Sequence, residues 1–435
     1  MSLLEHPKAQ ELLADATLSA AAVCHCRDHL TQFLQRYLPL FYRQEQRELA
    51  TVVIQGRLSG LKRKTSEPIA YLADRERKPV QHFVGAGAWD DEAVMAGLRS
   101  HVGEVLADPR GVLVLDGSGF AKKGAESCGV ARQWCGRLGK VENCQVGVFL
   151  IYAASGGCAA LDRRLYLSRD WAADRKRRKK THVPPAITFQ ESWRIGLDLL
   201  DRSGPDLPHA WVVGDDEFGR AAEFRAELRH RRERYVLDVP CNTLVREIGA
   251  AQRPGDKRPP FERVDVWAAR QPASRWKTIT IRGGEQGPLK VKALKRRMQT
   301  KEDGHVGPAE TLVVIRALGK KPQHWYTLSN ATRDEPLPEL VRAHSERHRV
   351  EEVLEQGKGE VGLGQYEVRS WVGWHHHMTL ALLALWFLTL ERRRLGGKNP
   401  GLERGATAGG VQPAAPATAA AARADRCGGQ SRTAA

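Results

Sequence analysis

The apolar positions of this chain follow one rhythm at its start and another after residue 110. Up to about residue 105, apolar residues recur three and four apart, in AQELLADATLSAAAVCHCRDHLTQFLQRYLPLFY and again in QEQRELATVVIQGRLSGLK. That period predicts helices. From residue 111 the period shortens: GVLVLD (111–116) reads as a buried strand, QVGVFLIYAAS (145–155) as a longer one and LDRRLYLS (161–168) as a half-buried one. ITFQESWRIGLDLLDRSG predicts a helix near 186–203 that Gly204 stops. HAWVVGD (209–215), GRAAEFRAELRHR (219–231) and RYVLDVP (234–240) then add a strand, a helix and a strand.

Three strands, helix, strand, helix, strand is the order of a ribonuclease-H-like α/β core. The text from 241 to 335 is rich in β and turn signals, with Gly283-Gly284 and Gly287-Pro288 as punctuation. It separates the last of these strands from a helix expected at 337–358, so it reads as a β-rich insertion into the core. The expected organisation is a helical N-terminal DNA-binding region (1–105), the first part of the core (106–240), the insertion (241–335) and the core's C-terminal helices (336–395). Residues 396–435 are Ala, Gly, Pro and Arg with almost no large apolar side chain, and are expected to be disordered.

Composition narrows the class. The 435 residues give room for two or three domains, and 42% hydrophobic with 27% charged residues is ordinary for a globular protein. A net charge of +17 is not ordinary, and it favours a polyanionic partner. The eight cysteines lack paired metal-ligand spacing and read as reduced thiols. The longest apolar run, MTLALLALWFLTL from Met378, is shorter than the about 20 residues a bilayer needs. No signal peptide opens the chain, so a cytoplasmic, nucleoid-associated protein without a membrane partner is expected.

Three carboxylates carry the candidate chemistry. Asp116 ends GVLVLD and Asp215 ends HAWVVGD, where buried strands can hold them still. Glu351 lies on a helix with Arg347, Leu354 and Lys358. At about 100° per residue these four share one face within about 60°. Carboxylates gathered from distant segments suit a pair of Mg²⁺ ions about 4 Å apart, with Mn²⁺ as a substitute, for phosphoryl chemistry. Asp116 would bridge the ions, with Asp215 and Glu351 completing their shells. Each acid also has a plainer reading, a strand-end turn cap or an i,i+4 pair with Arg347 worth tenths of a kcal/mol. Asp216, Glu217 and Glu352 are rivals; Trp211, Val213 and Asp215 share one face of their strand, and Glu352 points roughly 100° off the Arg347–Lys358 stripe.

Cations would position DNA phosphates around these acids. They include Arg347 and Lys358, and Arg177, Arg178 and Lys179 of RKRRKK (175–180), expected in a loop. Arg57, Lys62, Arg63 and Lys64 form another cluster that could grip phosphates or merely end a helix in solvent. Trp267, Trp276 or Trp325 could stack on a displaced base, or fill a small core. His375-His376-His377 reads as a basic helix start, because consecutive positions cannot all face one metal.

Arg347, Glu351 and Lys358 fit R-x-x-x-E-x-x-x-x-x-x-K, part of the signature of one group of bacterial insertion-sequence DDE transposases. LDGSGFAKKG, GVARQWCGRLGKVENCQVGVFLIYAAS, WVVGDDEFGR and GKGEVGLGQYEVRSWVGWHHHMTLALLAL resemble one subgroup over roughly residues 30–390. The resemblance implies a ribonuclease-H-like core with a β insertion before the glutamate. It also implies metal-dependent cleavage at the element's terminal inverted repeats, cut-and-paste transfer into target DNA, and a homodimer in a synaptic complex. By position the triad is Asp116, Asp215 and Glu351, with Arg347 and Lys358 on DNA; His344, Lys122 and Lys123 are further candidate DNA contacts. The chain departs from the pattern at His344, where the family has Tyr, and at Gly117, where an acid is usual. Beyond Leu395 the text resembles sequence read out of frame, as in a decayed element copy. Two other readings share the carboxylates: a junction resolvase, and a transposase-derived DNA-binding protein without turnover.

Overall fold

The computed structural model describes residues 20–248, 259–282, 289–302, 304–319 and 322–395. The expectations for residues 1–19, for the turns at Gly283-Gly284 and Gly287-Pro288, and for the tail from 396 fall outside those residues.

Val112, Leu113, Val114 and Leu115 are all buried, as a strand covered on both faces requires. They open β1 (Val112–Ala121), which pairs antiparallel with β3 (Lys140–Ala154) and parallel with β5 (Trp211–Gly214). β5 pairs parallel with β6 (Tyr235–Asp238), and β3 pairs antiparallel with β4 (Gly157–Leu165). The resulting order β4–β3–β1–β5–β6, with only β3 reversed, fits the ribonuclease-H-like arrangement expected from the sequence. β1 runs on past its expected end at Asp116 to Ala121. A hairpin partner, β2 (Ala131–Cys135), was not legible from periodicity.

The block after β6 extends the same sheet. β6 pairs with β12 (His324–Ser329), which leads through β11 (His305–Ala317) and β10 (Leu289–Glu302) to β7 (Leu244–Glu247) and β8 (Glu262–Arg263). β9 (Lys277–Arg282) also pairs with β10. β11 is buried on both faces: Val313 and Ile315 join the main core, while Leu312 and Val314 join a smaller one around Trp267 and Met298. Arg225 and Glu310, both buried, form an ion pair at 3.2 Å that ties the helix Ala222–His230 to β11.

The helices Ala20–Tyr37, Gln44–Leu58, Ser66–Leu72, Arg77–Gly85 and Asp91–Leu106 meet the helical expectation for this region. They pack on the apolar helix Trp371–Leu395: Phe33 lies 5.2 Å from Phe387, and Trp89 stacks on His376 at 3.8 Å. Residues Ala20–Arg393 form one compact unit. No helix among the described residues is long and apolar enough to cross a membrane.

Two local expectations change. RKRRKK forms a short helix, Arg175–Lys180, because Asp174 caps it through Arg177 N at 2.9 Å. His375, His376 and His377 are buried rather than a basic helix start. They bond the carbonyls of Trp371, Trp89 and Leu363 at 2.9, 3.1 and 3.0 Å. Burial pushes the first two imidazoles down to about 3 and about 4, and His377 well below its ordinary value, so all three are neutral.

Candidate active site

β1 and β5 set two of the acids side by side. Their parallel register ends at Leu115 opposite Gly214, so Asp116 and Asp215 are the next residues on neighbouring strands. β1 continues beyond that point while β5 stops, which leaves Asp116 beside the end of its neighbour. Asp215 also serves the plainer role, since its Oδ1 accepts from Glu217 N at 3.0 Å and caps the helix Asp216–Gly219.

The long helix Leu337–Glu360 brings the third acid and the cations. Arg347 donates to buried Asp238 at the end of β6, and its Nη2 lies 3.5 Å from Glu351. Glu351 is half exposed and also 3.6 Å from His348. Asp238 went unnoticed in the sequence. Its Oδ1 is 3.1 Å from His344 Nε2, within ion-pair reach but off the line of a hydrogen bond.

The charges explain one another. Burial, then repulsion from Asp215 and Glu351, pushes the Asp116 carboxyl up to about 7 against the pull of Arg347. Burial likewise lifts Asp215 to about 6, with Glu217 and Asp216 adding to it and Arg347 opposing. Burial alone would raise Asp238, but His344 and Arg347 hold it below its ordinary value. His348 and Arg347 lower Glu351. Arg347 therefore balances four carboxylates, and its own affinity for the proton is raised by them.

The other sequence candidates separate. Glu352 acts on Cys158 and Arg349 rather than on the aspartates, which favours Glu351. Asp216 pairs with Arg220 at 3.2 Å. Lys358 lies 5.4 Å over the Phe120 ring, on the strand that carries Asp116. His344 is buried against Asp238, so as placed its ring meets a carboxylate and not solvent. Lys122 donates to Tyr366 O at 3.1 Å, whereas Lys123 is exposed. Arg177 stacks on Trp171 at 4.0 Å, and Arg178 donates to Ile187 O at 2.6 Å. Of that trio Lys179 is exposed. Trp267 is buried, Arg316 covers Trp276 at 4.6 Å, and Trp325 stands edge-on to His344 and His348 at 5.9 and 6.0 Å.

Hard carboxylate oxygens suit a hard divalent cation, and the burial and repulsion that raise the proton affinity of Asp116 are what such a cation would offset. As the side chains stand, no three His, Cys, Asp or Glu among the described residues are gathered closely enough to hold one ion. Glu351 faces Arg347 and His348 instead. Asp116 and Asp215 stand side by side as oxygen donors of the kind such a cation takes, whereas Glu351 is turned to its own helix's cations.

Residues 36–288 match the family described as DDE superfamily endonuclease. That span includes Asp116 and Asp215 and ends before Arg347, Glu351 and Lys358. Over 218 residues the chain is 30% identical to "Probable transposase for insertion sequence element IS701" of Microchaete diplosiphon. The aligned part is 49% of this chain and 54% of that protein, so the chain spans about half the length of the curated relative it matches.

Proposed function

Since the chain belongs to the DDE superfamily endonuclease family, we propose that it is an insertion-sequence transposase that cleaves the ends of its element and joins them to target DNA. The observation that carries this reading is the placement of Asp116 and Asp215 on adjacent parallel strands, with Glu351 tied to the same cation, Arg347. Asp116, Asp215 and Glu351 would hold divalent metal, Mg²⁺ in two copies or Mn²⁺ in its place. When bound, that metal activates the attacking oxygen and neutralises the leaving one.

The protein's own groups position the strand. Arg347, fixed by Asp238, offers a guanidinium beside the carboxylates, and its planar fork suits the oxygens of a phosphodiester. Lys358, Lys123 and Lys179 would hold the backbone on either side, sequence-independently and with steep salt dependence. The helices between residues 20 and 106 would read the terminal repeats, the block from 241 to 335 would act as the insertion of the family, and two protomers would pair two ends.

The test is cleavage of linear DNA carrying the element's terminal inverted repeats, with Mg²⁺, Mn²⁺ or chelator, by the wild type and Asp116→Asn. Nicking at the repeat ends that needs divalent metal and Asp116 supports the proposal. Binding without cleavage would select a non-catalytic DNA-binding protein, and cutting of branched DNA regardless of end sequence would select a resolvase.

A further inference from the structure

Among the described residues, Arg57 and Lys64 are buried and Lys122 is partly buried, each without a carboxylate in ion-pair contact. Arg57 is buried: Nη1 donates to Val361 O at 3.0 Å, Nη2 meets His377 Nδ1 at 2.9 Å, and Nε has no hydrogen-bond partner. His377 Nε2 faces Leu363 O, so that nitrogen carries the proton and Nδ1 accepts from Arg57. Lys64 is also buried and donates to Arg57 O at 2.6 Å and to Ser59 O. Lys122 rests 3.3 Å over the ring of Tyr366. Among the described residues no Asp or Glu forms an ion pair with any of the three; Glu360 and Glu367 act on Lys64 and Lys122 only through longer-range attraction.

Burying charge in this way is costly unless an opposite charge arrives. The cost is visible in the groups themselves: burial lowers Arg57 to about 9 and Lys122 to about 8. Beside Arg57 and Lys64 opens a cavity of about 230 Å³, lined by these two and by Thr65, Ser66, Tyr366 and His377. It has room for a tetrahedral anion and several waters, at about 30 Å³ for each water. Two hydroxyl side chains, a guanidinium with one unused donor and a buried ammonium line it with Gln81 and Gln365; the lining also includes Glu367, whose carboxylate is paired with Arg63.

We propose that this cavity binds a phosphate group. Phosphate oxygens take charge-assisted bonds from arginine, lysine and hydroxyls together, and an anion here would neutralise charges that the fold leaves unbalanced. The source is a DNA strand or free phosphate; only the first of these rests on the proposed function. The lining segment 365–368 lies between the helix bearing Glu351 and the helix Trp371–Leu395.

The experiment follows thermal unfolding of the full chain, without DNA or divalent metal, in inorganic phosphate against chloride at equal ionic strength. Phosphate at millimolar concentration is expected to raise the melting temperature by about 3 °C or more over chloride. Arg57→Gln should lose that increment, with some loss of stability. Gln365→Glu separates binding from folding: Gln365 Oε1 already accepts from Lys64 N at 2.6 Å, and a carboxylate oxygen can do the same. It adds a second carboxylate to the cavity wall and gives up the long Nε2 bond to Lys62 O at 3.4 Å, so this variant should melt within about 2 °C of the wild type and show no phosphate increment. A phosphate effect no larger than that of chloride, or one that survives Gln365→Glu, overturns the site. A preference of about five-fold or more for 5′-phosphorylated over 5′-hydroxyl single strands, lost in Gln365→Glu, identifies a strand end as the source. Equal affinity for the two strands, with the phosphate increment intact, identifies free phosphate. No cleavage enters these measurements, so failure of the proposed function would leave their outcome readable.

Discussion

Arg347 on the long helix donates to Asp238 at the end of β6, and through its other nitrogen it approaches Glu351. One guanidinium thus joins the carboxylate that the sheet fixes to the carboxylate that the helix delivers. Asp238 is buried and is also approached by His344, so Arg347 is held by a fixed carboxylate while its charge acts on the aspartates of β1 and β5 as well.

Removing that anchor should separate position from charge. Asp238→Asn keeps the shape but leaves Arg347 and His344 without their buried anion. A loss of about 3 kcal/mol in unfolding free energy is expected, together with a fall of about ten-fold or more in the end-cleavage rate. Urea titration and single-turnover cleavage measure the two. Unchanged cleavage would show that Arg347 needs no anchor.

Asp116→Asn should make the protein more stable and less active. At pH 8 the wild type carries a carboxylate that burial, and then its neighbours Asp215 and Glu351, disfavour, and the amide removes that charge. A gain of about 1–2 kcal/mol is expected at pH 8, discounted because the group is partly exposed, and little gain at pH 4. Denaturant melts at both pH values decide it; destabilisation at pH 8 would contradict the electrostatic account.

The pH dependence follows in sign. Asp116 and Asp215 are raised to about 7 and about 6, above the ordinary 3.8. A raised folded value contributes stability that is fully present below the unfolded value and is lost as pH climbs through the folded one. Metal-free protein should therefore lose stability between about pH 4 and pH 7 from these two groups. Divalent metal must displace the protons, so the melting shift caused by Mg²⁺ or Mn²⁺ should grow from pH 5.5 to pH 7.5. A shift constant across that range would count against carboxylate ligation here.

Glu351 and Glu352 give a paired comparison on one helix. Glu351→Gln should lower cleavage by about a hundred-fold or more. Glu352→Gln, whose side chain acts on Cys158 and Arg349, should stay within about three-fold of wild type. Both variants should melt within about 2 °C of the parent, because both side chains are exposed. Equal effects on cleavage would remove the assignment of Glu351.

What the sequence made legible were features set by local pattern. The buried runs 112–115 and 211–214 announce two central strands by having no polar alternation at all. Arg347, Glu351 and Lys358 announce a helix face by their spacing. Periodicity missed the second half of β1, where Gly117 and Gly119 interrupt the apolar pattern although the pairing with β3 continues. It also missed the helix Arg175–Lys180, where six cations in a row hide the cap supplied by Asp174. Asp238 was not legible because its partner Arg347 lies 109 positions further on. The three histidines looked basic because nothing near them in the chain reveals that Trp89, Phe83 and Arg57 will close over them.

The pairing of β6 with β12 has a mechanical consequence. A hinge between the strands holding the aspartates and the block beyond them would have to break a ladder from Val236 to Asp238 and the buried Arg225–Glu310 pair. The sheet should therefore answer a bound duplex as one stiff plate. Under the proposed function, any movement that gathers the three acids would fall to side-chain torsions and to the long helix riding on that plate, so the rearrangement is expected to be short in reach.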